Sequence, residues 1–180
     1  MKIRNFILVL CIALLTSCNN DIPIQKQVHV TGGLIEGSQE GTLKKYLGIP
    51  YSAPPINELR WAPPSDVNAW EGTLDTKKFS KICYQPHMNT EFYDDGYDLS
   101  VMDEDCLYLN VWTRAKNISE NLPVMVWIHG GALVWGSGGE EYPGNELTKK
   151  DIVLVTINYR LGPLGFFAHP ELSKENNGSS

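Results

Sequence analysis

Four residues in the middle of the chain, His129-Gly130-Gly131-Ala132, have the types that acyl-transfer chemistry can use. Two glycines and an alanine leave the backbone nearly bare, so main-chain N–H groups there can approach a ligand closely. Acyl transfer needs such donors because its tetrahedral intermediate carries an oxyanion. The alternative is that the Gly-Gly pair only makes a tight turn, as often happens after strands in α/β proteins. This short motif alone leaves both interpretations open.

A strand would position the motif. Pro123 is followed by the apolar, β-branched and aromatic run Val124–Ile128, which predicts a strand buried on both faces, as in a parallel sheet. The motif would then lie at the carboxyl end of a central strand, where α/β sheets bind ligands. Next, Asn145 is expected to cap a short helix ending at Lys150, and residues 152–158 form a second buried strand. This strand–helix–strand unit, right-handed by the usual rule, predicts a doubly wound α/β core.

Longer stretches of the chain resemble the type-B carboxylesterases, α/β-hydrolases that include cholinesterases and bacterial para-nitrobenzyl esterases. Four blocks carry this resemblance, in the family's order. They are Gly48–Pro55 with Leu59-Arg60-Trp61, then Glu104–Trp112, then Trp127–Ala132 with Gly136-Ser137-Gly138, and finally Asn158–Phe166. The resemblance implies an α/β-hydrolase fold and ester hydrolysis by a serine. The part present would be a small antiparallel N-terminal sheet plus the first strands of the doubly wound central sheet.

The resemblance also implies roles for the bare loop. The N–H groups of Gly131 and Ala132 would hold the oxyanion, together with one N–H that follows the catalytic serine. Gly130 would permit the turn, and His129 would orient the loop rather than titrate in the reaction. The substrate would be a small-molecule carboxylic ester with a small or medium acyl group.

The catalytic serine itself is expected downstream. The family carries it in Gly-x-Ser-x-Gly, followed by an acid and a histidine, and no such motif occurs in these 180 residues. Ser137 fails because Trp135 stands two residues before it, and Ser180 follows a polar run. We therefore expect the N-terminal part of a larger hydrolase, or a truncated gene, that is inactive alone. The alternative is a non-catalytic relative that keeps the scaffold as a binding or adhesion module.

The first residues predict an export signal rather than part of the fold. The positively charged residues Lys2 and Arg4 precede the apolar run Phe6–Leu15, which is too short to span a bilayer as a helix. Leu15-Thr16-Ser17-Cys18 resembles a bacterial lipobox, in which Cys18 receives lipid and becomes the mature N-terminus. An ordinary signal peptide with an incidental cysteine is the alternative.

This interpretation divides the chain into three parts. Residues 1–17 are the lipoprotein signal peptide, residues 18–26 a tether, and residues 27–180 the incomplete hydrolase domain. The protein would be exported and anchored to a membrane of the bacterial cell envelope through its lipid.

After processing, Cys83 and Cys106 remain, and an even pair in an exported protein suggests a disulfide. By resemblance, the cysteine of Glu-Asp-Cys-Leu pairs with one upstream, a role that Cys83 fits. The closed loop, with Asp94-Asp95-Gly96 as its turn, would border the access to the active site and contribute about 3 kcal/mol. Two buried free thiols are the alternative.

Arg60 and Glu104 match family positions that form a salt bridge at the base of this loop. The family's glycine before Leu-Arg is absent, which puts the local turn in doubt.

The N-terminal part predicts short strands and packing tryptophans. Apolar alternation on both sides of Gly32-Gly33 indicates a β-hairpin, and the resemblance assigns it to the small N-terminal sheet. Further strands are predicted over residues 42–49 and 107–112. Trp61 and Trp70 are expected to attach the proline-rich segment to the body by packing alone.

Charge and motifs exclude several function classes. The net charge is −6 with no basic run, which argues against nucleic acid as a partner. No metal cluster, phosphate loop or nucleotide motif appears, so no cofactor is expected.

Overall fold

The structure of the protein is a computed structural model that describes residues 23–86, 89–90, 93–94 and 99–175. The predicted signal peptide, Cys18 and Ser180 lie outside the described residues. The strands are β1 Gln27–Val30, β2 Gly33–Glu36, β3 Ser38–Glu40, β4 Leu43–Pro50, β5 Thr73–Asp75, β6 Ile82–Cys83, β7 Asn89–Thr90, β8 Tyr93–Asp94, β9 Met102–Asp103, β10 Tyr108–Thr113, β11 Val124–Ile128 and β12 Val153–Ile157. The helices are α1 Gly162–Phe166 and α2 Pro170–Glu175, with 3-10 turns at Asn57–Leu59, Leu99–Val101, Ile118–Glu120 and Leu147–Lys150. None of the helices in these ranges is long and apolar enough to cross a membrane.

The main sheet has five strands in the order β11-β12-β10-β4-β3. β11 and β12 run parallel, in register from Val124 opposite Val153 to Ile128 opposite Ile157. The 3-10 turn Leu147–Lys150 lies between them in sequence, so the predicted strand–helix–parallel strand unit is confirmed. The predicted cap at Asn145 is wrong, because the turn follows Glu146 without any side-chain cap.

The core of the main sheet lies beneath β12 and β4. Leu154 of β12 packs with Leu43, Leu47 and Trp112 in one buried cluster, and Phe79 covers it. Burying such side chains stabilises the fold by roughly 1.5–3 kcal/mol each. β12 is therefore an interior strand of the described sheet, with β11 on one side and β10 on the other.

The predicted burial of Val124–Ile128 on both faces is wrong in this structure. All five residues of β11 are exposed, from 40% at Trp127 to 64% at Ile128. Within the described part of the chain, β11 pairs only with β12 and forms the edge of the sheet. The apolar run thus correctly predicts a strand in a parallel pair. The burial of its side chains depends on which other elements pack against that strand.

The small N-terminal sheet has the order β1-β2-β5. The predicted hairpin is confirmed, since β1 and β2 pair antiparallel with Val30 opposite Gly33. β5 joins β2 in parallel, so the expectation of a purely antiparallel sheet is only partly right. Trp70 packs against this turn, because a Cβ at Gly32 would lie 2.0 Å from its ring. Its Nε1 also donates to Leu34 O at 2.9 Å, so a hydrogen bond adds to the predicted packing role of Trp70.

Candidate functional site: a glycine loop beside a disulfide

The glycine loop, residues 129–138, begins where β11 ends. Its first turn closes on Gly131, whose carbonyl accepts hydrogen bonds from the N–H groups of Val134 at 3.0 Å and Trp135 at 3.1 Å. Gly131 has φ +109°, and a Cβ there would lie 1.8 Å from Trp135 O. A Cβ at Gly130 would meet nothing within 4 Å. The turn therefore needs glycine at position 131, whereas we expected Gly130 to be the residue that permits it.

The backbone after Gly131 stays in an uncommon conformation. Ala132 and Leu133 have φ of +53° and +66°, a region that costs a non-glycine residue roughly 1–2 kcal/mol. Strain of this kind clusters at active sites and ligand clamps. Among the described residues, the N–H groups of Gly131 and Ala132 have no hydrogen-bond acceptor. Two donors in a partly exposed turn are thus available to an incoming acceptor such as an oxyanion.

His129 supports the turn from beneath. Its side chain is buried, and Nδ1–H donates to Gly130 O at 2.7 Å, because a carbonyl can only accept. Burial lowers the pKa of this imidazole, which favours the neutral ring. The ring stacks on Tyr159 with centroids 4.3 Å apart, and Tyr159 OH donates to His129 O at 2.8 Å. These contacts suit the predicted orienting role.

The far end of the loop, residues 136–138, is buried and held by side-chain amides. Gly136 N–H donates to Gln85 Oε1 at 2.6 Å, and Gln85 Nε2 donates to Gly136 O at 3.0 Å. Gly138 N–H donates to Asn158 Oδ1 at 2.8 Å, and Asn110 Nδ2 donates to Gly138 O at 3.0 Å. Buried amides are costly unless hydrogen-bonded, and here they bond to the backbone.

These three amides were not predicted from the sequence. A polar side chain within a predicted buried strand was the available signal for Asn110, and one at the end of such a strand was the signal for Asn158. Gln85 gave no comparable signal, since it stands in a segment without regular periodicity.

The predicted disulfide between Cys83 and Cys106 is present in the structure. Both residues are buried and pack with Leu107 and Leu161, so the alternative of two free thiols is wrong. The disulfide closes the loop of residues 84–105. The predicted turn at Asp94-Asp95-Gly96 extends outside the described residues.

The predicted salt bridge is also present. Arg60 donates from Nε and from a terminal nitrogen to the two carboxylate oxygens of Glu104, and this hydrogen bonding raises the pKa of Arg60. The missing family glycine does not prevent the pairing, because Asn57 takes φ +52° in the preceding turn. Asparagine tolerates that left-handed region better than most residues.

The remaining candidate groups do not form a catalytic centre. Ser137 is 2% exposed, and its Oγ accepts a hydrogen bond from Gly139 N–H at 3.1 Å, so it is not placed as an open nucleophile. His29 lies on β1, and His169 lies next to α2. In the described ranges, no group of three or more His, Cys, Asp or Glu side chains is arranged to hold a metal ion.

Comparisons with known proteins agree with this geometry. Residues 24–179 match the carboxylesterase family. The chain is 45% identical over 154 residues to the fumonisin B1 esterase of Sphingopyxis macrogoltabida, covering 84% of this chain and 28% of that protein. It is 42% identical over 137 residues to the para-nitrobenzyl esterase of Bacillus subtilis (strain 168), covering 74% of this chain and 27% of that protein.

A solved structure of a PNB esterase superposes with a TM-score of 0.74 and 37% sequence identity, over 86% of this chain and 31% of that chain. The chain thus spans less than a third of the length of these relatives. The glycine loop and the disulfide described above lie within the matched residues. The chain belongs to the carboxylesterase family, and its fold is that of part of an α/β-hydrolase.

Proposed function

We propose that this chain is the oxyanion-hole portion of a serine hydrolase that cleaves carboxylic esters. The observation that carries the proposal is the turn at Gly131 and Ala132, which presents two N–H groups without an acceptor among the described residues. Donors fixed in advance stabilise the charge that develops on the carbonyl oxygen during attack. The names of the two esterases to which the chain is similar also support ester hydrolysis.

In the proposed reaction, a serine outside these 180 residues attacks the ester carbonyl, and a histidine accepts its proton. The carbonyl oxygen becomes an oxyanion, which accepts hydrogen bonds from Gly131 and Ala132. Collapse of the intermediate expels the alcohol, which takes the proton back from the histidine, and leaves an acyl-enzyme, which water hydrolyses to the carboxylic acid and the free serine. His129 takes no part in proton transfer, because its Nδ1 is bonded to Gly130 O and its ring is buried.

The substrate we propose is a small-molecule ester with a small or medium acyl group. We also propose that Cys18 carries a lipid that anchors the protein to a membrane of the cell envelope. Nucleic acid is not among the proposed partners, because the chain has a net charge of −6 and no basic run.

The competing proposal is a non-catalytic binding module built on the same scaffold. Gly-x-Ser-x-Gly does not occur in the 180 residues, so the serine that distinguishes the two proposals must be sought outside them. The strained turn favours the enzyme, since a module that only binds through its outer surface has no need for Ala132 at φ +53°.

The test uses the full-length protein that contains this chain, with p-nitrophenyl acetate as substrate and a fluorophosphonate as serine-reactive label. We expect turnover, and a label on one serine outside residues 1–180. The matched control is Ser137→Ala, which should leave the labelling unchanged because Ser137 is buried. A label on Ser137 would overturn the mechanism. The binding module would be favoured by a protein that neither turns over nor takes the label.

A further inference from the structure

Gln85 connects two features that the sequence treats separately, the disulfide and the glycine loop. It lies two residues after Cys83, and its side chain reaches the backbone of Gly136, 51 positions further along the chain. Its Nε2 donates to Gly136 O at 3.0 Å and to Cys83 O at 3.1 Å, and its Oε1 accepts from Gly136 N–H at 2.6 Å. Both donors of the amide and one acceptor site are used, and the residue is only 9% exposed.

The contact continues from Gly136 to the turn at Gly131 and Ala132, the proposed oxyanion turn. Gly136 has φ +108°, and a Cβ there would lie 2.5 Å from His129 Nδ1 and 2.9 Å from Gly130 O. The backbone of Gly136 therefore lies directly against the imidazole and the carbonyl that it holds. A displacement of Gly136 must move His129 or Gly130, because interiors this closely packed have little free space.

We propose that Gln85 is a positioning residue for the oxyanion turn, and that it couples this turn to the Cys83–Cys106 disulfide. The disulfide holds Cys83 in place, Gln85 holds Gly136 relative to Cys83, and Gly136 supports His129 beneath the turn. The catalytic consequence rests on the function proposed above, whereas the mechanical coupling does not.

The other buried amides, Asn110 and Asn158, hold the part of the loop that loss of Gln85 should leave unchanged. Gly138 is held by Asn110 and Asn158, and Asn158 Nδ2 also donates to Lys81 O at 3.1 Å. Loss of Gln85 should therefore loosen the loop near Gly136 while Gly138 stays fixed. A general loss of stability would loosen both ends of the loop together.

The experiment replaces Gln85 by methionine, which has a similar length but makes none of the three hydrogen bonds. In the full-length protein, hydrogen exchange measured by mass spectrometry should become about ten-fold faster or more at Gly136, with Gly138 unchanged. On p-nitrophenyl acetate, kcat should fall about 10- to 100-fold, as for a misplaced catalytic group, with KM nearly unchanged. The control is Gln39→Met, which removes an exposed glutamine that donates to Gly41 O and should change neither measurement.

Removing the Cys83–Cys106 disulfide tests its coupling to the turn. Cys83→Ala combined with Cys106→Ala should also speed exchange at Gly136, but should add little when Gln85→Met is already present, because coupled sites are not additive. Full additivity would overturn the coupling, and unchanged exchange at Gly136 in Gln85→Met would overturn the positioning role.

A second variant covers the case in which Gln85→Met does not fold. Gln85→Asn keeps the neutral amide but is one methylene shorter, so it cannot make all three hydrogen bonds at the observed distances, and it should give a smaller change of the same kind. Exchange equal to wild type in Gln85→Asn would also overturn the role. A full-length protein without esterase activity refutes the proposed function alone, since the exchange measurements do not require turnover.

Discussion

Replacing Gly131 by alanine tests whether the oxyanion turn depends on a bare backbone. The added Cβ would lie 1.8 Å from Trp135 O, so the turn must open by more than about 1 Å to restore van der Waals contact. The φ of +109° also lies in a region that alanine rarely adopts. Backbone strain costs roughly 1–2 kcal/mol, and forcing atoms into a packed site costs typically 1–3 kcal/mol.

The structure therefore predicts that Gly131→Ala lowers the free energy of unfolding by about 2–5 kcal/mol, the sum of those two costs. The measurement is equilibrium unfolding of the full-length protein in urea. The matched control is Gly130→Ala, where the Cβ meets nothing within 4 Å and no positive φ is required. That variant should stay within about 0.5 kcal/mol of wild type in unfolding free energy.

Gly131→Ala should also lower kcat on p-nitrophenyl acetate by about 10²-fold or more, because it would displace the N–H that we propose as an oxyanion donor. Gly131→Pro would delete that donor, but its φ near −65° is incompatible with +109°, so it would also distort the turn. Equal destabilisation by Gly130→Ala and Gly131→Ala would contradict a specific need for glycine at position 131, as would a Gly131→Ala protein as stable as wild type.

Three further outcomes are expected. Mass spectrometry of the exported protein should find an acylated Cys18 at its N-terminus. Cys18→Ser should release the protein from the membrane fraction. A different N-terminus or no acyl mass would contradict lipidation at Cys18. Residues 18–180 expressed alone should show no esterase activity and should aggregate through the open edge of β11. A soluble monomer with a cooperative melt would contradict the aggregation. Burial lowers the pKa of His129, so the unfolded state binds the proton more readily and stability should fall as pH drops below about 6.5. His129→Gln should flatten that pH dependence of the unfolding free energy, and an unaltered slope would show that another group causes it.

Much of the candidate site follows from the sequence because its information is local. The run Val124–Ile128 predicts a strand from residue type alone, and the following Gly-Gly predicts a bare turn. Cys83 and Cys106 could be paired because they are the two cysteines outside the predicted signal and lipobox, and because the resemblance places a bridge there. Arg60 and Glu104 were paired by the same resemblance, and both pairs are present.

Only the tertiary structure decided which glycine the turn requires and which strand lies at the edge. The sequence does not distinguish the roles of Gly130 and Gly131. In the structure they differ because Trp135 O lies against Gly131 and not against Gly130. The apolar character of β11 is compatible with burial on both faces, but exposure depends on which neighbours pack beside it, and periodicity carries no information about neighbours. Gln85 remained undetected for the same reason, since its partner is 51 residues away and the contact exists only when the disulfide segment and the glycine loop are brought together.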